Sequence, residues 1–232
     1  MKTIIGIIGG MGPMATCDLM KKIILHTDAE SDQEHLHILV DCNTNIPDRT
    51  AAIIDNGESP LPEMIKSALR LQAMGAQALV VACNTAHFFL EDLQKSISIP
   101  IISILNETAV HLHHKGFRSV AVLGTYGTIC SGVYGNALTS MDISCTYPNN
   151  EDQQFIMSLI YDYVKAGKMA ESSLFLEQLK KMSVQGAQAF VLGCTELPMV
   201  FQDGDFGIKF IDSLDVMAKR AVEMAGYPLK QG

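Results

Sequence analysis

The sequence has no tryptophan, and aromatic residues make up only 6% of it, so its core must be built mainly from aliphatic side chains. It has no C-x-x-C pair. Its six cysteines (Cys17, Cys42, Cys83, Cys130, Cys145 and Cys194) are scattered. That supplies no zinc-ligand spacing and argues against a disulfide framework in a chain of 232 residues. The expected setting is a reducing cytoplasm, with free thiols and no bound metal. No apolar run approaches the ~20 residues of a membrane span. Residues 1–12 are apolar but short, broken by Gly6, Gly9 and Gly10, and carry no cleavage-site pattern. They read as a buried first strand and not as a leader. Basic residues are also scarce: 17 Lys and Arg stand against 25 Asp and Glu, for a net charge of −8. This argues against nucleic-acid binding, which needs a basic footprint. An anionic small molecule stays open, because a few local cations can dominate a cleft.

What is present is an ordinary globular composition, with 48% hydrophobic and 18% charged residues. Strand and helix patterns alternate along it. Strands are expected near residues 2–8, 35–41, 78–82, 100–104, 119–123, 188–192 and 209–211. Helices are expected near 14–28, 62–74, from Thr85 onward, 107–114, 133–139, 152–166, 170–182 and 213–225. Residues 43–50 read as a polar loop. This alternation implies an α/β fold with parallel sheet covered on both faces.

The chain repeats itself. Residues 75–83 read GAQALVVAC and residues 186–194 read GAQAFVLGC, without a gap, at an offset of 111. A second match aligns Ile7-Ile8-Gly9-Gly10-Met11-Gly12 with Val122-Leu123-Gly124-Thr125-Tyr126-Gly127, at an offset of 115. Two matches in the same order suggest duplicated halves. Chance likeness between buried strands is the competing reading. The recurrence of a cysteine with a threonine close behind it (Thr85, Thr195) weighs against chance.

Both cysteines fall at strand ends, where open α/β sheets bind ligands. Each precedes an expected helix start, whose positive potential would lower a thiol pKa. Two thiols facing one another across a shared cleft suit inversion at a carbon. One thiolate removes the Cα proton from one face, and the other thiol supplies a proton to the opposite face. Asn84, Thr85 and Thr195 beside the thiols are candidates to bind an α-carboxylate, with Thr125 or Thr128 assisting. A second carboxylate needs a cation, ideally an arginine fork. Arg49, one of four arginines, follows a strand. The loop carrying Met11 should border the cleft. The other four cysteines read as small buried hydrophobes. The cluster His111, His113 and His114 lacks the further ligands of a metal site. His87 reads equally as a group that tunes Cys83 and as a solvated or core histidine.

The segments Gly9-Gly10-Met11-Gly12-Pro13, Asn45-Ile46-Pro47-Asp48-Arg49-Thr50, Ala82-Cys83-Asn84-Thr85-Ala86-His87 and Gly193-Cys194-Thr195-Glu196-Leu197 occur in that order. Together they resemble the aspartate/glutamate racemase superfamily, and its aspartate racemase branch in particular. The resemblance implies a racemase that needs no cofactor, with Cys83 and Cys194 as a two-base pair acting on an acidic amino acid. It implies two similar open-sheet domains related by a pseudo-two-fold axis, with the site in the cleft between them, in a homodimer. The first domain would span 1–104 plus 207–232 and the second 105–206, with the C-terminal helix returning to the first. Arg49 and Lys165 match family cations expected to hold a carboxylate. Retention of both cysteines implies chemistry on both enantiomers. Glu196, where glutamate racemases carry histidine, favours aspartate.

Three rivals remain open. Gly10-x-Gly12-x-x-Ala15, with Asp41 closing the second strand, fits a dinucleotide fingerprint, though Pro13 lies inside the turn and the second half has no counterpart. A related isomerase, decarboxylase or hydantoin racemase could use the same cysteines. A non-catalytic binder of acidic amino acids would need neither of them.

Overall fold

The computed structural model describes residues 2–168, 186–201, 207 and 209–231. The helix expected at 170–182 lies outside the described residues. Among the described residues, eight strands form two four-stranded parallel sheets. The first is built from β1 (Ile5–Gly9), β2 (Ile38–Cys42), β3 (Ala78–Val81) and β4 (Ile101–Ile102), in the order β2-β1-β3-β4. The second is built from β5 (Ser119–Leu123), β6 (Ser144–Thr146), β7 (Ala189–Leu192) and β8 (Phe210–Asp212), in the order β6-β5-β7-β8. β1, β3 and β7 are buried along their whole length, as continuous apolar runs in a covered parallel sheet should be.

The two offsets in the sequence reappear as strand register. Ile5 pairs with Ala78 and Ile8 with Val81, while Val120 pairs with Ala189 and Leu123 with Leu192. The correspondence runs on into the turns: Ala82 N–H donates to the Ile8 carbonyl, and Gly193 N–H donates to the Leu123 carbonyl. The halves are thus structurally equivalent up to the cysteines. The α/β class, the parallel sheets and the duplication are as expected.

Several local expectations change. β6 was not anticipated, because Ser-Cys-Thr at a half-exposed edge has no apolar run. The loop expected over 43–50 gives way to a helix at Arg49–Ile54, because Asp48 Oδ1 accepts from Ala51 N–H and caps it. Thr85 caps no helix. It opens the 3₁₀ turn Thr85–Phe89 and sends its hydroxyl elsewhere. The helix expected over 152–166 is an α-helix at Asn150–Ser158 that continues as a π-helix at Leu159–Val164.

The expected division at residue 207 also shifts. β8 pairs with β7 in the second sheet, so the chain crosses back only after it. The helix Ser213–Met224 then packs against Pro13–His26 and Ile104–His114. Asp212 caps this helix and pairs with Lys22 at 3.0 Å, and His26 pairs with Asp215 at 2.5 Å. Among the described residues, no helix is long and apolar enough to cross a membrane.

Candidate active site

Cys83 and Cys194 each lie two residues beyond a strand end, β3 and β7, and both are buried. They line one cavity, together with Met11, Asp48, Arg49, Thr50, Asn84, Thr85, Thr125, Tyr161, Lys165, Thr195 and Glu196. Every expected site residue is there except Thr128, which stands one hydrogen bond behind the wall. Its open volume is about 10 Å³, room for at most one water molecule. A vestibule of about 390 Å³ adjoins it and shares Met11, Asp48, Arg49, Tyr161, Lys165 and Glu196 with it. The cleft is therefore closed at this ring of side chains. A larger cleft of about 640 Å³, beside β8 and the C-terminal helix, has neither cysteine in its lining.

The halves meet through hydroxyls. Thr85 bonds to Thr125 at 3.0 Å and to Thr128 at 2.8 Å, and Thr50 donates to Thr125 at 3.2 Å. Gly127 permits this approach. A Cβ there would lie 2.8 Å from Thr85 Cγ2 and 2.9 Å from Thr50 Cα. Gly10, at φ +90°, does the same between loops of the first half, where a Cβ would strike the Asn43 backbone at 2.3 Å.

The Cys194 thiol donates to Glu196 Oε2 at 3.0 Å, and the Thr195 hydroxyl donates to the same oxygen at 3.2 Å. Burial pushes the Cys194 pKa well up, the Glu196 charge pushes it further, and Lys165 pulls back only part of the way. This corrects the expectation of a lowered pKa at this position. Among the described residues, a three-residue turn, Leu197–Met199, follows Cys194, and a carboxylate stands where positive potential was expected. Cys194 is thus held as a protonated thiol. Glu196 Oε1 is buried and has no hydrogen-bond partner among the described residues.

Arg49 is no surface cation: it is only 7% exposed. Its Nη1 donates to the Ile46 and Pro47 carbonyls and its Nη2 to the Met11 carbonyl, at 3.3, 2.9 and 3.0 Å. Nε is left buried and unpartnered among the described residues. Burial works to lower its pKa, but negative charge at Cys83 and Asp48 outweighs burial and raises it. Lys165 is an exposed residue, and its ammonium lies over the Tyr161 ring at 4.6 Å. Burial of that ammonium works to lower its pKa, and the negative charges of Glu196 and Cys194 raise it on balance.

Asp48, Thr50 and Tyr161 were not anticipated. Asp48 and Thr50 flank Arg49 in the same motif. Tyr161 lies four residues before Lys165, on the same helical face. Its hydroxyl donates to Asp48 Oδ2 at 3.2 Å and lies 3.4 Å from Thr50 Oγ1, bridging the cleft. Asn84 is more constrained than expected. Its Oδ1 accepts from Tyr134 and its Nδ2 donates to Ser213. His87 is a core histidine: Nε2 accepts from Ile104 N–H at 3.1 Å, so Nδ1 carries the proton and donates to the Cys83 carbonyl at 2.8 Å. Burial lowers its pKa to about 4.

One cavity thus holds two sulfurs from equivalent turns, one of them held protonated, with two cations and two carboxylates around them. A model of the Asp/Glu/Hydantoin racemase family matches residues 8–221. The broad specificity amino-acid racemase RacX of Bacillus subtilis (strain 168) is 29% identical over 223 residues, which cover 94% of this chain and 96% of RacX. An aspartate racemase from Picrophilus torridus superposes with a TM-score of 0.89 at 32% identity, covering 98% of this chain and 96% of its own. An aspartate racemase homologue from Pyrococcus horikoshii OT3 superposes with a TM-score of 0.81 at 25% identity, covering 97% and 100%.

Proposed function

This chain belongs to the Asp/Glu/hydantoin racemase family, and from that premise we propose that it interconverts L- and D-aspartate by two-base proton transfer between Cys83 and Cys194. The carrying observation is the shared cavity: each half contributes one sulfur from the same point of the same turn. In the state described, Cys194 is the acid, because burial and Glu196 hold its proton. Cys83, beside the Arg49 guanidinium, is the base. The Cys83 thiolate takes the Cα proton, and the electron pair is delocalised into the substrate carboxylate. The Cys194 thiol then delivers its proton to the opposite face. The products are the other enantiomer, a Cys83 thiol and a Cys194 thiolate, ready for the reverse reaction. Such transfers are efficient only when donor and acceptor stand within hydrogen-bond reach of the carbon. The chemistry calls on no cofactor.

The unpartnered atoms suggest how substrate is held. Arg49 Nε is a charged donor without an acceptor, and it suits a carboxylate. Glu196 Oε1 is an acceptor without a donor, and it suits the ammonium. Lys165, at the cavity mouth, suits the second carboxylate. Asn84, Thr85, Thr125 and Thr195 line the cavity around the first, with Thr128 behind them. Because the closed cavity is too small for an amino acid, entry requires the ring of side chains shared with the vestibule, Tyr161 and Asp48 among them, to open.

A broader amino-acid racemase is the second reading. It is favoured by full-length similarity to RacX and by the peripheral place of Lys165. Single enantiomers of aspartate, glutamate and a neutral amino acid, incubated in heavy water, separate the two. Aspartate is expected to become racemic and deuterated at Cα, ahead of the others. Equal rates on all three favour the broader reading. Exchange on none of the three overturns both.

A further inference from the structure

Tyr134 is fully buried in the helix Val133–Thr139 of the second half, and it touches both cysteine-bearing turns. Its hydroxyl donates to Asn84 Oδ1 at 2.6 Å, and Asn84 directly follows Cys83. Its ring lies against Gly193, which directly precedes Cys194: a Cβ at Gly193 would stand 3.1 Å from Tyr134 Cε2. The hydrogen bonds continue in one direction. Asn84 Nδ2 donates to Ser213 Oγ at 3.2 Å, and Ser213 Oγ donates to the Leu192 carbonyl at 2.8 Å. Leu192 ends β7, two residues before Cys194. Asn84, Tyr134 and Ser213 are each at most 1% exposed, so no water competes for these bonds. Burial raises the Tyr134 pKa, which keeps its hydroxyl a neutral donor.

We infer that Tyr134 and Ser213 are positioning residues that set the spacing of the two sulfurs, by tying the turn of Cys83 to the strand end of Cys194. This rests on the two-base reading above. Neither residue faces the substrate; both act through Asn84 and the β7 terminus. Proton transfer across a carbon needs both sulfurs in reach at once. Misplacement of an ångström in a catalytic group can cost about a hundredfold. With the spacing loosened, the carbanion formed at one sulfur waits longer for the other. The thiol that took the Cα hydrogen then exchanges it with solvent and returns deuterium to the same face, so the substrate gains solvent hydrogen without inverting.

The test uses Tyr134→Phe and Ser213→Ala with single aspartate enantiomers in heavy water. Deuterium in the recovered starting enantiomer is measured against deuterium in the inverted product. Wild type should place nearly all deuterium in the product. Each variant is expected to lose about tenfold in kcat with KM little changed, and to enrich deuterium severalfold in the starting enantiomer. Thermal melting accompanies both variants. A merely structural role lowers the melting temperature and leaves the partition at its wild-type value in both variants, and that result overturns the inference. A wild-type protein that racemises nothing removes the two-base reading, and the inference falls with it. A racemising wild type with an unmoved variant partition overturns the inference alone.

Discussion

His87 links the site to folding stability in a way that pH exposes. The imidazole is neutral in the fold, with Nδ1–H on the Cys83 carbonyl and Nε2 accepting from Ile104. Burial lowers its pKa from 6.5 to about 4. In the unfolded chain it binds a proton near pH 6.5, where the folded chain does not. Stability therefore rises with pH through this window. It is fully present above about pH 6.5 and is lost as pH falls toward about 4. Each unit of pKa difference is about 1.4 kcal/mol. The His87 contribution should thus fall by about 2 kcal/mol between pH 7 and pH 5, and by about 3 kcal/mol by pH 4. His87→Asn removes the titration while keeping a polar group near the Cys83 carbonyl. Urea unfolding of both proteins across this range gives their stability difference, in which the other titrating groups cancel. That difference should shrink by these amounts toward acid. A flat difference would mean that the folded histidine titrates normally. A difference that grows toward acid would mean that it carries charge in the fold. Either result would refute its placement as a neutral core group.

Other expectations are more local. Glu196→Gln removes the charge that helps hold the Cys194 proton, so the pH midpoint for alkylation of Cys194 should move down, read by mass spectrometry, while racemisation slows. An unmoved midpoint would leave burial as the sole cause. Lys165→Met should raise KM for aspartate about tenfold to a hundredfold, as expected for loss of a charge-assisted bond of about 1.5–3 kcal/mol. KM for a neutral amino acid should barely change in steady-state assays. Thr85→Val breaks the bonds to Thr125 and Thr128 across the halves and should cost about 1–3 kcal/mol in urea unfolding.

Much of this was legible in the sequence because duplication leaves a signal that one chain can carry alone. GAQALVVAC and GAQAFVLGC foretell not only two strands but their common register against β1 and β5. The strand ends, and with them both cysteines, follow. The expected site residues also converge, since turns at the ends of parallel strands project to one side of a sheet. What stayed hidden depends on partners distant in sequence. Nothing near Cys194 announces that Glu196 would turn back onto the thiol and raise its pKa. Nothing near Asn84 points to Tyr134 or Ser213, 50 and 129 residues away. Tyr161 offered only its spacing from Lys165. β6 is a short edge strand whose residues carry no hydrophobic pattern, and it is held in place by its neighbour β5.

Single-cysteine variants test the two-base chemistry most directly. Cys83→Ala and Cys194→Ala, each given one aspartate enantiomer at a time in heavy water, should both fail to racemise. Each should still exchange the Cα hydrogen of one enantiomer only, as the remaining sulfur takes the proton from the face it meets, swaps it with solvent and returns deuterium to that face, and the two variants should choose opposite enantiomers. Racemisation at the wild-type rate by either variant would contradict the paired roles of Cys83 and Cys194.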